Sequence, residues 1–273
     1  MSASPADAAA LPASMPPLPP ARQLAPGLWF AAGMIALYFA LQAVVGILAA
    51  LLLGIATGYV HGLREIGTSV HAMLAEPGLP AMTVMLTLGV TAAIMLLLVR
   101  KCWPALWPLA EPPGLGFCRP RQAAFFGAAI VVGVAAPLLG AMLTQWLAQG
   151  HPVPQDIRQL GTQTPLMPRL ALVVMVASVG PLVEETLFRG VLLSALLQRW
   201  RVGASVAISA TVFALAHLPG LHYHWYALPD LALLALGLAW LRLHSRSIWP
   251  AVLAHGVNNL LAVAAWFVTA HAA

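Results

Sequence analysis

The stretch PLVEETLFRG, residues 181–190, places Glu184, Glu185 and Arg189 between the apolar runs LALVVMVASVG and VLLSALL. Carboxylates of this kind can take and return a proton, and so can activate water. Histidines and amides that could join them lie downstream. In TVFALAHLPG, Phe213 and His217 are four residues apart and share a helix face. In AVLAHGVNNLL, His255 and Asn259 have the same spacing, with Asn258 turned away. Together they supply a base and the N–H donors that could meet a developing oxyanion.

The charges are expensive where they stand. An ionised residue at the centre of a spanning helix costs roughly 2.5–3.5 kcal/mol on insertion scales. Glu185 precedes Arg189 by four residues, the favourable order for an ion pair on one helix face. Glu184 points about 100° away and has no basic residue at i+3 or i+4. Its partner must come from another helix, from water or from a proton. A device that merely packs helices together would need the Glu185–Arg189 pair but not the extra glutamate. Two histidines, an asparagine and a spare glutamate on three apolar helices are cheapest when gathered around one polar cavity.

Composition sets the frame for these residues. Of 273 residues, 61% are hydrophobic and 8% charged, against about 25% charged in a soluble domain. This reads as an integral membrane protein. Apolar runs at 28–53, 79–99, 123–147, 169–199, 203–218, 228–243 and 248–270 predict an all-α polytopic bundle of seven spans, or eight if a re-entrant segment is hidden. No internal repeat is evident. Residues 1–27 hold seven prolines and read as a disordered Pro/Ala-rich tail rather than a signal peptide. Residues 28–160 read as N-terminal spans and 161–273 as the catalytic region. Cys102 and Cys118 are too few for a disulfide framework.

Alternating the spans puts Arg22, Arg100, Lys101, Arg119, Arg121, Arg199, Arg201, Arg242 and Arg246 on one side, and Arg64, Arg158 and Arg169 on the other. This bias predicts a cytoplasmic N-terminus. It also accounts for the net charge of +5 without nucleic acid. Tyr223, Trp225 and Tyr226 read as an interfacial aromatic belt, with His222 and His224 inside it. Depth along the helices gives a partial check. At about 1.5 Å per residue, Glu184 and His217 lie about 22 and 24 Å above the cytoplasmic arginines. His255 lies only about 14 Å from Arg246, so tilt or a last span starting inside the membrane must absorb the difference.

The ordered set E-E-x-x-x-R, F-x-x-x-H and H-x-x-x-N resembles the CPBP family (CAAX protease and bacteriocin-processing, or Abi), which includes the type II CAAX prenyl endopeptidases. The resemblance covers roughly residues 165–270. The first 160 residues carry no such motif. It implies a helical membrane fold with a catalytic cavity, and hydrolysis of membrane-associated peptides, prenylated CAAX-type or bacteriocin-like, in a bacterial inner membrane. By position it implies that Glu184 activates water and His217 helps to hold it. His255 and Asn259 would stabilise the oxyanion, while Glu185, Arg189 and Phe213 support the site. Two chemistries stay open. His217, His255 and Glu184 could ligate a divalent metal such as zinc, which usually takes three protein ligands, or the site could be metal-free. The second is preferred, because Glu185 is committed to Arg189 and a metal-bound Glu184 would leave no base. Two further functions compete: a proton- or ion-coupled transporter, and a non-catalytic scaffold or bacteriocin-immunity protein.

Overall fold

The structure, a computed structural model, describes residues 25–61, 78–151, 160 and 164–268. Most of the expected N-terminal tail, with Arg22, lies outside the described residues, as do Arg64 and Arg158. Among the described residues there are helices and no strands. Seven helices carry the fold: α1 (Leu28–His61), α2 (Leu79–Cys102), α3 (Ala124–Ala148), α4 (Leu166–Leu197), α5 (Val202–Ala216), α6 (Leu228–Ser245) and α7 (Trp249–Val268). Each matches one of the seven apolar runs. Five described helical stretches are long and apolar enough to cross a membrane: Leu28–Ala56, α2, α3, α4 and the Trp225–Ser245 stretch that includes α6. Helix α5 is a shorter apolar helix.

Local chemistry explains several boundaries. Gly78, at φ 97°, enters α2 ahead of a proline in its first turn, where a missing N–H costs nothing. Arg100 and Lys101 close that helix, where cations suit the negative end of the helix dipole. Helix α6 has Asp230 in its first turn and Arg242 and His244 in its last, the matching polarity.

Helix α4 is irregular where the chemistry lies. Its regular stretch Gly180–Glu185 is flanked by two wider π-helical stretches, Met175–Val179 and Thr186–Leu192. Such π-turns recur at functional sites. The core runs through this helix: Val183, Leu187, Phe188 and Val191 pack with Met34 and Tyr38 of α1, Met95 and Val99 of α2, and Phe213 of α5. A second core joins Phe125, Ala129 and Ala136 of α3 to Leu234, Leu238 and Leu241 of α6, and to Ala251 and Ala254 of α7. Leu48, Leu51, Leu52 and Ile55 of α1 and Leu138, Leu139, Met142 and Trp146 of α3 stay exposed. Apolar surface on that scale suits contact with lipid.

Helix α7 is held at two points around His255. A Cβ on Gly133 of α3 would overlap the Ala254 carbonyl and Val257, and a Cβ on Gly256 would overlap the Ala177 carbonyl of the first π stretch. Backbones approach this closely only where side chains vanish. The turn before α7 is also buried: Ser245, Ser247 and Ile248 are fully enclosed. Ser247 donates to the Cys118 carbonyl, and Ile248 N–H to the Gly116 carbonyl. The last helix therefore follows a buried, hydrogen-bonded turn. Arg242, expected as a cytoplasmic topology charge, is fully buried. It donates to the carbonyls of Ala110 (2.8 Å) and Gly114 (2.7 Å) and pins the 103–122 loop against α6.

Candidate active site

Four helices converge on Glu184. Its Oε2 lies 3.5 Å from His217 Nε2 and 3.8 Å from His255 Nε2. Its Oε1 accepts from the Tyr38 hydroxyl of α1 at 3.5 Å. Of the three sources open to its partner, other helices supply these contacts.

Glu185 is set differently. Its Oε1 takes Arg189 Nη1 at 3.0 Å, with both side chains almost wholly buried. The same oxygen takes His255 Nδ1 at 2.9 Å. The i,i+4 pair anticipated from the sequence forms across a π-helical stretch. Nothing in the spacing announces the third partner. Arg189 also donates to the Ala235 carbonyl of α6 at 3.1 Å and stacks its guanidinium 4.4 Å from the Phe213 ring centre. Phe213 touches both histidines, with ring centres 4.5 Å from His217 and 5.6 Å from His255. It is thus a wedge that spaces the two imidazoles.

Both imidazoles are oriented through Nδ1. His217 Nδ1 faces the Phe213 carbonyl at 2.8 Å, and His255 Nδ1 faces the Glu185 carboxylate. These partners only accept, so a neutral ring carries its proton on Nδ1 and presents a lone pair at Nε2. Glu184 Oε2 is buried and has no hydrogen-bond partner. Three lone-pair atoms therefore point toward one place, an arrangement suited to a molecule with protons to give, such as water.

Asn259 stands at the edge of this cluster. Its amide donates to the Val176 carbonyl at 2.9 Å, inside the first π stretch. Asn258, expected to point elsewhere, donates to Asn259 Oδ1 at 3.2 Å and fixes its orientation. Asn259 and Glu184 both line a cavity of about 400 Å³. The rest of the lining includes Tyr38 and Gln42 of α1 and Thr83 and Thr87 of α2. The first 160 residues carry no motif, yet two of their helices form this wall. A signal existed: Tyr38–Gln42 and Thr83–Thr87 are four apart on otherwise apolar helices.

Among the described residues no three His, Cys, Asp or Glu side chains are grouped so as to hold a metal ion. Glu185 is occupied by Arg189 and His255, and a ligating Glu184 would leave no carboxylate free as base.

Comparison with known proteins agrees with the motifs. A family model described as Type II CAAX prenyl endopeptidase Rce1-like matches residues 166–261. No curated protein and no solved structure matches. From the start of α4 to the polar turn of α7, the stretch that holds Glu184, His217, His255 and Asn259, the chain matches the Rce1-like type II CAAX prenyl endopeptidases.

Proposed function

We propose that this chain is an intramembrane endopeptidase that uses a glutamate-activated water. The observation that carries this reading is Glu184: a partly exposed carboxylate on a cavity wall, faced by two Nε2 atoms, beside a Glu185 that is already committed. A general base needs such a setting, within reach of water and free of a tight salt bridge.

Glu184 takes a proton from water held against His217 Nε2. The resulting hydroxide adds to the scissile carbonyl carbon. His255 and Asn259 meet the oxyanion with N–H groups. Two carboxylates face one guanidinium in this cluster, so one further proton on the histidine pair brings it to neutrality, the cheapest state in a low-dielectric site. An N–H formed at Nε2 of the pair donates to the oxyanion. Collapse of the tetrahedral intermediate breaks the C–N bond, and Glu184 returns its proton to the leaving amine. The products are a carboxylic acid and an amine, which leave as carboxylate and ammonium. No step runs through a metal.

The substrates follow from the matched family: membrane-associated peptides, of which prenylated CAAX-type peptides are the first to try. We assign it a cytoplasmic N-terminus on the strength of the arginine distribution, and take a bacterial inner membrane as the setting to test. The test is cleavage of a farnesylated CAAX-type peptide in liposomes by the wild type and by Glu184→Gln. The expected result is cleavage by the first and none by the second, with expression and melting unchanged. Near wild-type cleavage by Glu184→Gln would overturn the assignment.

A further inference from the structure

We propose that the polar wall contributed by α1 and α2 is the subsite that holds the substrate's main chain in an extended conformation, with Gln42 and Thr87 as its hydrogen-bonding rungs. The inference rests on the endopeptidase reading and assigns a role to helices outside the matched segment.

Three observations carry it. First, the cavity that contains Glu184 and Asn259 is walled on its far side by Tyr38, Gln42 and Gly46 of α1 and by Thr83 and Thr87 of α2. These are the i, i+4 and i+8 positions of one helix and the i and i+4 positions of the other. Second, Thr87 Oγ1 is buried without a hydrogen-bond partner, whereas Thr83 has spent its proton on the Leu79 carbonyl at 3.0 Å. An unpaired buried hydroxyl beside a cavity is a donor and acceptor in waiting. Third, Gly46 of α1 lies opposite it: a Cβ there would be in van der Waals contact with Thr87 Oγ1, at 3.5 Å, so the hydroxyl sits where the two helices meet the cavity.

The chemistry of the wall selects the occupant. A lipid chain has no groups to pair with them, and a substrate helix has spent its own amides internally. A peptide bond must be unwound before water can attack it, and an unwound main chain inside a bilayer needs partners for its N–H and C=O groups. Thr87 offers both a donor and an acceptor, and Gln42, which also bonds the Tyr38 hydroxyl, keeps further amide capacity of both kinds.

The experiment reads binding and cleavage separately. A fluorescent farnesylated CAAX-type peptide is titrated, by anisotropy, against detergent-solubilised Glu184→Gln protein and against the same protein carrying Thr87→Val, Thr87→Ser or Gln42→Leu. Thr87→Val and Gln42→Leu should each weaken binding about 3- to 10-fold, the worth of one hydrogen bond, and Thr87→Ser should bind like the parent. Replacing one main-chain amide of the peptide by an ester should weaken binding to the parent protein, and Thr87→Val or Gln42→Leu should erase that difference at one position. Equal affinities across the set, or a parent protein that does not bind the peptide, would overturn the subsite. Wall-dependent binding without cleavage by the wild type would sink the endopeptidase reading and leave the subsite standing.

Discussion

His255 Nδ1 and Glu185 Oε1 are 2.9 Å apart, and Arg189 reaches the same oxygen at 3.0 Å. One carboxylate thereby braces a guanidinium on its own helix and an imidazole on another. The pair serves stability through one partner and catalysis through the other, so the two effects should separate under mutation. Arg189→Ala leaves Glu185 buried without its cation, a change that typically costs about 3–5 kcal/mol. The double variant Glu185→Gln with Arg189→Gln removes both charges and should recover much of the melting temperature. It should not recover activity, because His255 has lost the carboxylate that orients it. Recovery of both together would show that the pair is only a packing device.

Tyr38 supplies the one hydroxyl drawn to Glu184, and it is 1% exposed. Tyr38→Phe removes that oxygen and little else. The rate constant kcat should fall by about 3- to 10-fold, the worth of one modest hydrogen bond, with KM and melting nearly unchanged. A change in KM alone would move Tyr38 from holding the base to contacting substrate.

How much of this was legible beforehand follows from the range of each interaction. The seven apolar runs and the Glu185–Arg189 pair are local, so length, hydropathy and i,i+4 spacing reveal them. The convergence of Glu184, His217 and His255 could be inferred only from the cost of leaving each in lipid. The Glu185–His255 bond spans 70 residues, and nothing in either segment announces it. Arg242 looked like a topology charge because sequence gives the sign of a residue but not its depth. It is buried on the carbonyls of Ala110 and Gly114, two acceptors from a loop with no periodic pattern. The π stretches of α4 were equally hidden, since MVASV and TLFRGVL carry no proline or other residue that marks a widened turn.

The two histidines should behave differently if water, and no metal, occupies the site. His217→Ala loses a group that holds the attacking water. His255→Ala and Asn259→Ala lose oxyanion donors, and each should lower kcat by about 10²–10³ with little change in KM. Chelators should leave the wild type active. Stoichiometric zinc in the purified active protein, absent from His255→Ala, would replace the glutamate mechanism by a metal-dependent one.

Gly256 gives a test whose sign is diagnostic. In an exposed helix, glycine to alanine stabilises by about 1 kcal/mol. Here a methyl group would press on the Ala177 carbonyl, where α7 lies directly on the first π stretch of α4. Backbone cannot rotate away as a side chain can, so α7 must shift. Overpacking of this kind typically costs about 1–3 kcal/mol. The shift would also lift the neighbouring His255 from Glu185 and Glu184, and Asn259 from the Val176 carbonyl. Gly256→Ala should therefore lower the melting temperature and reduce kcat together. Gly203→Ala, in α5 with nothing within 4 Å of the added methyl, is the control: it should melt no lower than wild type and cleave normally. A rise in melting temperature for Gly256→Ala would mean that α7 does not touch α4 there, and that His255 is held by its hydrogen bonds alone.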